Sequence, residues 1–274
     1  MNELINISVI LIYKRKIYKY ICITNMMVDL TPELAEICGI HAGDGYMRSR
    51  ERNKGEVDIS GHIEEKGYYD KNVIPLFNKA FNLNIVGRYF SRGSYGFVSY
   101  KKEIRDALEI FGFPMGKKSK SVKVPDLILS SKNTKIYGAF LRGLFDTDGN
   151  LFFRKSYAGI NKFNRTYNHY PVINLTTISQ SLIEGLIQML HFMEIPFYYY
   201  NRDSKKSNEN RRYSIIISGL DGLELWMRLV DIKNPVKLSR YLVWKKFGFC
   251  PPNTTLQQRE DILNGKLDIY SIGS

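Results

Sequence analysis

Gly138 to Gly149 reads GAFLRGLFDTDG, and 104 residues earlier Leu34 to Gly45 reads LAEICGIHAGDG. Each stretch is an apolar helix rich in small residues that ends in Asp-Gly. Small residues recur at every fourth position: Ala35, Gly39 and Gly43 in one copy, Ala139, Gly143 and Thr147 in the other. They share one helical stripe, where a partner helix can approach closely. Packed stripe to stripe, the two helices run side by side and deliver Asp44 and Asp148 to one place at their C-terminal ends. In many proteins an Asp-Gly after an apolar helix is only a C-terminal turn. The duplication in register argues for more.

The copies stay aligned beyond the motifs. A short apolar stretch and a basic loop, Arg48 to Lys54, follow the first; Leu151 to Phe153 and a longer loop, Arg154 to His169, follow the second. Next, Val57-Asp58-Ile59-Ser60 matches Ile173-Asn174-Leu175-Thr176 at an offset of 116, with period-two alternation in both. A helix is predicted in each half from Val73, Ile74, Phe77, Ala80 and Phe81, and from Leu182, Ile183, Leu186, Ile187 and Leu190. Two strands follow in each (Val86 to Phe90 with Tyr95 to Ser99; Pro196 to Tyr200 with Tyr213 to Ser218), then a closing helix, Ile104 to Phe111 or Leu223 to Val230.

This order predicts an α+β fold of two pseudo-symmetric αββαββα repeats, each a curved antiparallel sheet backed by helices, joined through the motif helices. The expected domains are an N-terminal extension (1–30), a first repeat (31–125), a second repeat (126–250) and a C-terminal tail (251–274). The tail has a capping-box signal at Thr255-x-x-Gln258 and reads as helical.

The chemistry of the paired carboxylates follows from electrostatics. A helix C-terminus carries partial negative charge, so two ionised aspartates there repel each other and the dipoles. A divalent cation relieves the conflict. Oxygen ligands of this kind suit Mg²⁺, with Mn²⁺ able to substitute, and the reaction implied is metal-assisted phosphodiester hydrolysis. Forty Lys and Arg against 27 Asp and Glu give a net charge of +13, which draws phosphate backbones to the surface. With 44% hydrophobic residues, the chain can bury a real core.

Other chemistries find little support. Cys22, Cys38 and Cys250 are too far apart for a disulfide framework or a CxxC metal site, and His41, His62, His169 and His191 show no ligand spacing. Ile5 to Tyr13 is apolar but too short to span a bilayer, and its basic run follows rather than precedes it. The expectation is an intracellular, soluble protein without an export signal. Met26 or Met27 are plausible alternative starts.

Ile37 to Gly45 (ICGIHAGDG) and Leu141 to Gly149 (LRGLFDTDG) resemble the two signature motifs of a LAGLIDADG homing endonuclease in its monomeric, internally duplicated form. The second copy is the closer match; the first departs at Cys38, His41 and Gly43. The resemblance covers roughly Thr31 to Gly248. It implies an intron-encoded, site-specific endonuclease cutting double-stranded DNA at a long pseudo-palindromic target, one motif aspartate per strand. Asp44 and Asp148 would then bind the metal, with the Gly43 and Thr147 carbonyls as secondary ligands. Lys117 and Lys237 match each other and a basic position near the cleaved phosphates; Lys118 and Lys120 leave the first register open. Asp146 reads as structural.

For DNA contacts the candidates are Arg48, Arg50, Arg52, Arg154 and Lys155 after the motif turns, with Lys162 and Arg165 in the longer loop. Asp58, Ser60, Asn174 and Thr176 occupy the free sheet face, and Arg88, Arg92, Arg202, Arg211 and Arg212 the hairpins. Two alternatives use the same scaffold: a maturase holding intron RNA, and a catalytically silent DNA-binding protein. Intact acids in both motifs favour cleavage. An intein-embedded nuclease is disfavoured by the two ends of the chain.

Overall fold

The computed structural model describes residues 8–13, 16–23, 26–27, 30–48, 55–91, 93–155, 168–203 and 210–272. Three strands, β1 (Ser8–Tyr13), β2 (Lys16–Ile23) and β3 (Met26–Met27), form an antiparallel sheet of their own at the N-terminal end.

The first repeat begins with α1 (Pro32–Asp44). Thr31 caps it by accepting from the Leu34 amide at 3.2 Å, and Pro32 occupies the first turn, where its missing N–H costs nothing. Then come β4 (Gly45–Arg48), β5 (Glu56–His62), a helical run that includes α2 (Lys66–Tyr68) and α3 (Ile74–Phe81), β6 (Arg88–Phe90), β7 (Ser94–Ser99) and α4 (Lys102–Ile110). A short helix, α5 (Asp126–Ser131), leads to the second repeat. It comprises α6 (Thr134–Asp148), β8 (Asn150–Arg154), β9 (Tyr170–Thr177), α7 (Gln180–Phe192), β10 (Tyr198–Arg202), β11 (Arg212–Ser218) and α8 (Leu220–Leu229). After it lie α9 (Pro235–Phe247) and α10 (Leu256–Leu263), the latter held by the reciprocal Thr255–Gln258 capping box.

The two four-stranded sheets have the same antiparallel topology, β4-β5-β7-β6 and β8-β9-β11-β10. Their register also matches: Tyr46 opposes Asp58 as Asn150 opposes Asn174. Alternation puts Val57, Ile59, Ile173 and Leu175 into the core and leaves Asp58, Ser60, Asn174 and Thr176 on the other face. The expected αββαββα architecture is the observed one.

The two motif helices pack against each other at the centre of the molecule. A Cβ on Gly39 would lie 2.1 Å from the Phe140 carbonyl oxygen, and one on Gly143 would lie 2.2 Å from that of Glu36. Glu36 and Phe140 are equivalent positions, so the contact obeys a local twofold. Backbones this close leave room only for hydrogen at both positions.

Some boundaries differ from expectation. The strand expected from Pro196 begins at Tyr198, because pairing with β11 starts there and proline has no N–H for a ladder. The larger difference is in the first half. The helix expected from Val73 is preceded by continuous helical turns from Ile63: a 3₁₀ turn (Ile63–Glu65), α2 and a π-helical turn (Tyr69–Val73). The second half goes from Thr177 to α7 with only two residues between.

Candidate functional site

Both motif aspartates lie at the ends of the paired helices. A Cβ on Gly43 would sit 3.3 Å from the Asp148 carboxyl carbon, so that carboxyl lies against the residue before Asp44. Burial pushes the Asp44 carboxyl up to about 7; Asp148 and Glu65 add to the rise, and a hydrogen bond from Tyr69 opposes it. Asp148 remains open to solvent, yet protein bulk on its inner side holds its carboxyl above the ordinary range against the pull of Lys118 and Lys237. The pair is the electrostatic conflict expected of two acids at converging helix ends.

Two lysines answer that conflict. Lys118 donates to the carbonyls of Ala42 and Gly43, both at 2.8 Å, and Lys237 to those of Phe145, Asp146 and Thr147 at 2.6, 2.7 and 2.8 Å. Each ammonium thus caps the C-terminal carbonyls of its own half's motif helix, where positive charge is favoured. They are 8% and 7% exposed. Burial lowers both pKa values, and the surrounding carboxylates work against that shift.

The first-half lysine in this position is Lys118, not Lys117. Gly116, at φ +81°, donates its amide to the Met47 carbonyl and turns the chain so that Lys118 points inward while Lys117 and Lys120 stay exposed. Lys237 arrives differently, from the first turn of α9. The Gly43 and Thr147 carbonyls expected as secondary metal ligands are therefore already engaged by ammonium groups. Asp146 is fully buried, its Oδ2 accepting from the Lys233 amide at 3.0 Å.

Sequence reasoning missed a set of residues around Asp44. The Tyr69 hydroxyl donates to Asp44 Oδ2 at 2.6 Å. A Cβ on Gly61 would meet Asp44 Oδ2, Glu65 Oε2 and the Tyr69 hydroxyl at 2.8–2.9 Å, so these three oxygens converge. Asn234 Nδ2 donates to Glu65 Oε1 at 2.7 Å and to the Asp146 carbonyl at 2.7 Å, tying the first repeat to the start of α9. On the Asp148 side the corresponding space is a cavity of about 340 Å³, lined by Lys118, Asp148, Leu175, Thr177, Leu182 and Arg212 among others.

Among the described residues, no group of three or more His, Cys, Asp or Glu side chains is placed to hold a metal ion. The donors present, two carboxylates at adjoining helix ends, still suit a hard cation that completes its shell with water and phosphate oxygens.

Of the described DNA-contact candidates, Arg48, Asp58, Ser60, Arg88, Arg154, Asn174, Thr176, Arg202 and Arg212 lie on the strands of the two sheets. The Ser60 hydroxyl donates to Asp58 at 2.9 Å and the Thr176 hydroxyl to Asn174 at 3.1 Å, the same bond in both repeats. Burial raises the Asp58 carboxyl, while Ser60, Arg88 and Arg48 pull it down. Arg48 pairs with Glu56 at 3.3 Å, Arg211 with Asp203 at 2.6 Å, and the Arg154 guanidinium lies over the Tyr170 ring. Arg88, Lys155, Arg202 and Arg212 are exposed. Arg50, Arg52, Arg92, Lys162 and Arg165 lie outside the described residues. Among the described residues, no helix is long and apolar enough to cross a membrane.

Residues 135–226, from the start of α6 into α8, match the family model described as a LAGLIDADG-like domain. Similar solved structures include mesophilic variants of the homing endonuclease I-DmoI, at 11% identity over 73% of this chain and 95% of that one, TM-score 0.48. Another is I-SmaMI bound to an uncleaved DNA target in the presence of calcium ions, at 11% identity over 85% and 94%, TM-score 0.48. A third is the LAGLIDADG meganuclease I-AabMI bound to uncleaved DNA, at 13% identity over 86% and 90%, TM-score 0.41. No curated protein matches the chain.

Proposed function

With residues 135–226 a LAGLIDADG-like domain and the first half built to the same plan, we propose that this protein is a site-specific double-strand DNA endonuclease, monomeric and intron-encoded. The observation that carries this reading is the convergence of Asp44 and Asp148 at the ends of two closely packed helices, each end capped by a buried lysine.

In this reading Asp44 and Asp148 hold Mg²⁺, or Mn²⁺ in its place, and one aspartate serves each strand. A cation held there would supply a water of lowered pKa and favour charge on the leaving oxygen. The two carboxylates fix where it binds. Lys118 and Lys237 neutralise the helix ends, which lets two acids remain close without the motif helices parting. They also provide positive charge at fixed positions beside a phosphate that gains charge in the transition state. In the same reading the polar sheet faces, bearing Asp58, Ser60, Asn174 and Thr176, read base edges in a major groove, and the exposed arginines meet flanking phosphates. Because the two repeats differ in sequence, the target is only partly symmetric.

Selection of cleaved sites from a randomised duplex library with Mg²⁺ tests the proposal. Cutting at one long motif is expected, with Asp44→Asn and Asp148→Asn each losing scission of one strand by about 10³-fold while binding persists. Tight binding without cutting would indicate a silent DNA-binding protein; neither binding nor cutting would direct attention to intron RNA.

A further inference from the structure

The two aspartates are unequal, and the source is one segment. Between β5 and α3 the first repeat carries the helical turns Ile63–Val73, for which the second repeat has only the short step from Thr177 to α7. The extra turns include a π-helical stretch, a distortion often kept where a side chain must be aimed. It aims Tyr69. That ring is fully buried, edge-on to Tyr68 and Tyr95, and its hydroxyl has Asp44 Oδ2 as its hydrogen-bond acceptor.

A carboxylate at a helix end can rotate about its Cβ–Cγ bond. A phenol donating at 2.6 Å to one oxygen fixes that rotation and leaves Oδ1 as the freer oxygen. The ring cannot yield, because it is packed on all sides. Among the described residues Asp148 has no such hydrogen-bond partner: it lines the cavity walled by Thr177 at the end of β9 and by Leu182 and Leu186 of α7, the elements on either side of the shorter connection.

We propose that Tyr69 is a positioning residue for Asp44 alone, so that the two strand scissions of this endonuclease are set by separate machinery and can be uncoupled at a residue that touches no DNA. This rests on the nuclease reading above. No bond to Tyr69 is made or broken; it orients the oxygen that binds the cation.

The test uses the full chain and its selected duplex with a different dye on each strand, in Mg²⁺. Asp44→Asn first identifies the strand that depends on Asp44. Tyr69→Phe keeps the ring and removes the hydroxyl. Its expected effect is a fall of about tenfold in the rate on that same strand, with the other strand unchanged and nicked duplex accumulating. Equal loss on both strands, or loss on the Asp148 strand, would overturn the proposal. A folding defect lowers both rates together, so the ratio between strands reads positioning separately from stability. If the unsubstituted chain cuts neither strand, the nuclease reading fails, a result distinct from any of these.

Discussion

The ends of α1 and α6 are the same backbone with different side chains around it. At the helix contact the match is close: Gly39 and Gly143 admit each other's partner carbonyls within about a tenth of an ångström of the same distance. Around that contact several side chains differ. His41 stands where Phe145 stands, Glu36 where Phe140 stands, and Tyr69 has a cavity for a counterpart. A duplicated fold keeps symmetry where two backbones touch, because neither can change without the other. It is free to diverge wherever a side chain meets a neighbour from only one repeat.

The largest effect expected from this comparison is at His41. It is fully buried, edge-on to Phe113 at 4.8 Å, and among the described residues neither ring nitrogen has a hydrogen-bond partner. Burial, with Lys118 nearby, lowers its pKa to about 3 from 6.5. The unfolded chain therefore takes up a proton that the folded chain refuses. The stability concerned is fully present above pH 6.5 and is lost as pH falls towards 3, up to about 5 kcal/mol. His41→Phe, which copies Phe145, should flatten that slope in denaturant titrations between pH 7 and 4. Parallel acid lability in both proteins would show that His41 does not drive it.

Next come the glycines. Gly39→Ala and Gly143→Ala each place a methyl against backbone that cannot step aside, so each should cost about 2–3 kcal/mol by chemical denaturation. Equal losses sharpen the symmetric part of the comparison; a loss at one position only breaks it.

The smallest effect is expected at Glu36. It is buried between Arg142 at 2.5 Å and Lys233 at 2.9 Å, where the equivalent position on the other side is the fully buried, apolar Phe140. Removing one member of such a cluster leaves the others desolvated without a counter-charge. Glu36→Gln should cost about 2 kcal/mol, less than a fully buried pair because Lys233 keeps access to water. The loss should shrink in Glu36→Gln, Arg142→Met double variants.

Much of this was legible in the residues. The four-residue spacing of glycine and alanine dictated that two helices would touch, and the period-two strands with their common offset dictated two matching sheets. The signal for the inserted segment was present too: the offset between repeats is 116 at the strands and drops to 109 at the following helices, from Val57/Ile173 to Val73/Leu182. Seven extra residues in the first half must go somewhere. Sequence could not say that they coil into a π-turn and carry Tyr69 to Asp44, since the residues that meet there are 25 positions apart and nothing local links them.

What the sequence determined alone was the repeat, the order of elements and the two acids at equivalent helix ends, because each depends on local periodicity and on backbone terms that act within a few residues. The tertiary structure decided which lysine caps each helix end, that Glu65 and Asn234 join the halves, and that one aspartate is held while the other stays open. Those choices rest on long-range packing: Gly116 turns Lys118 inward over 75 residues of chain, and Lys237 reaches its carbonyls across 90.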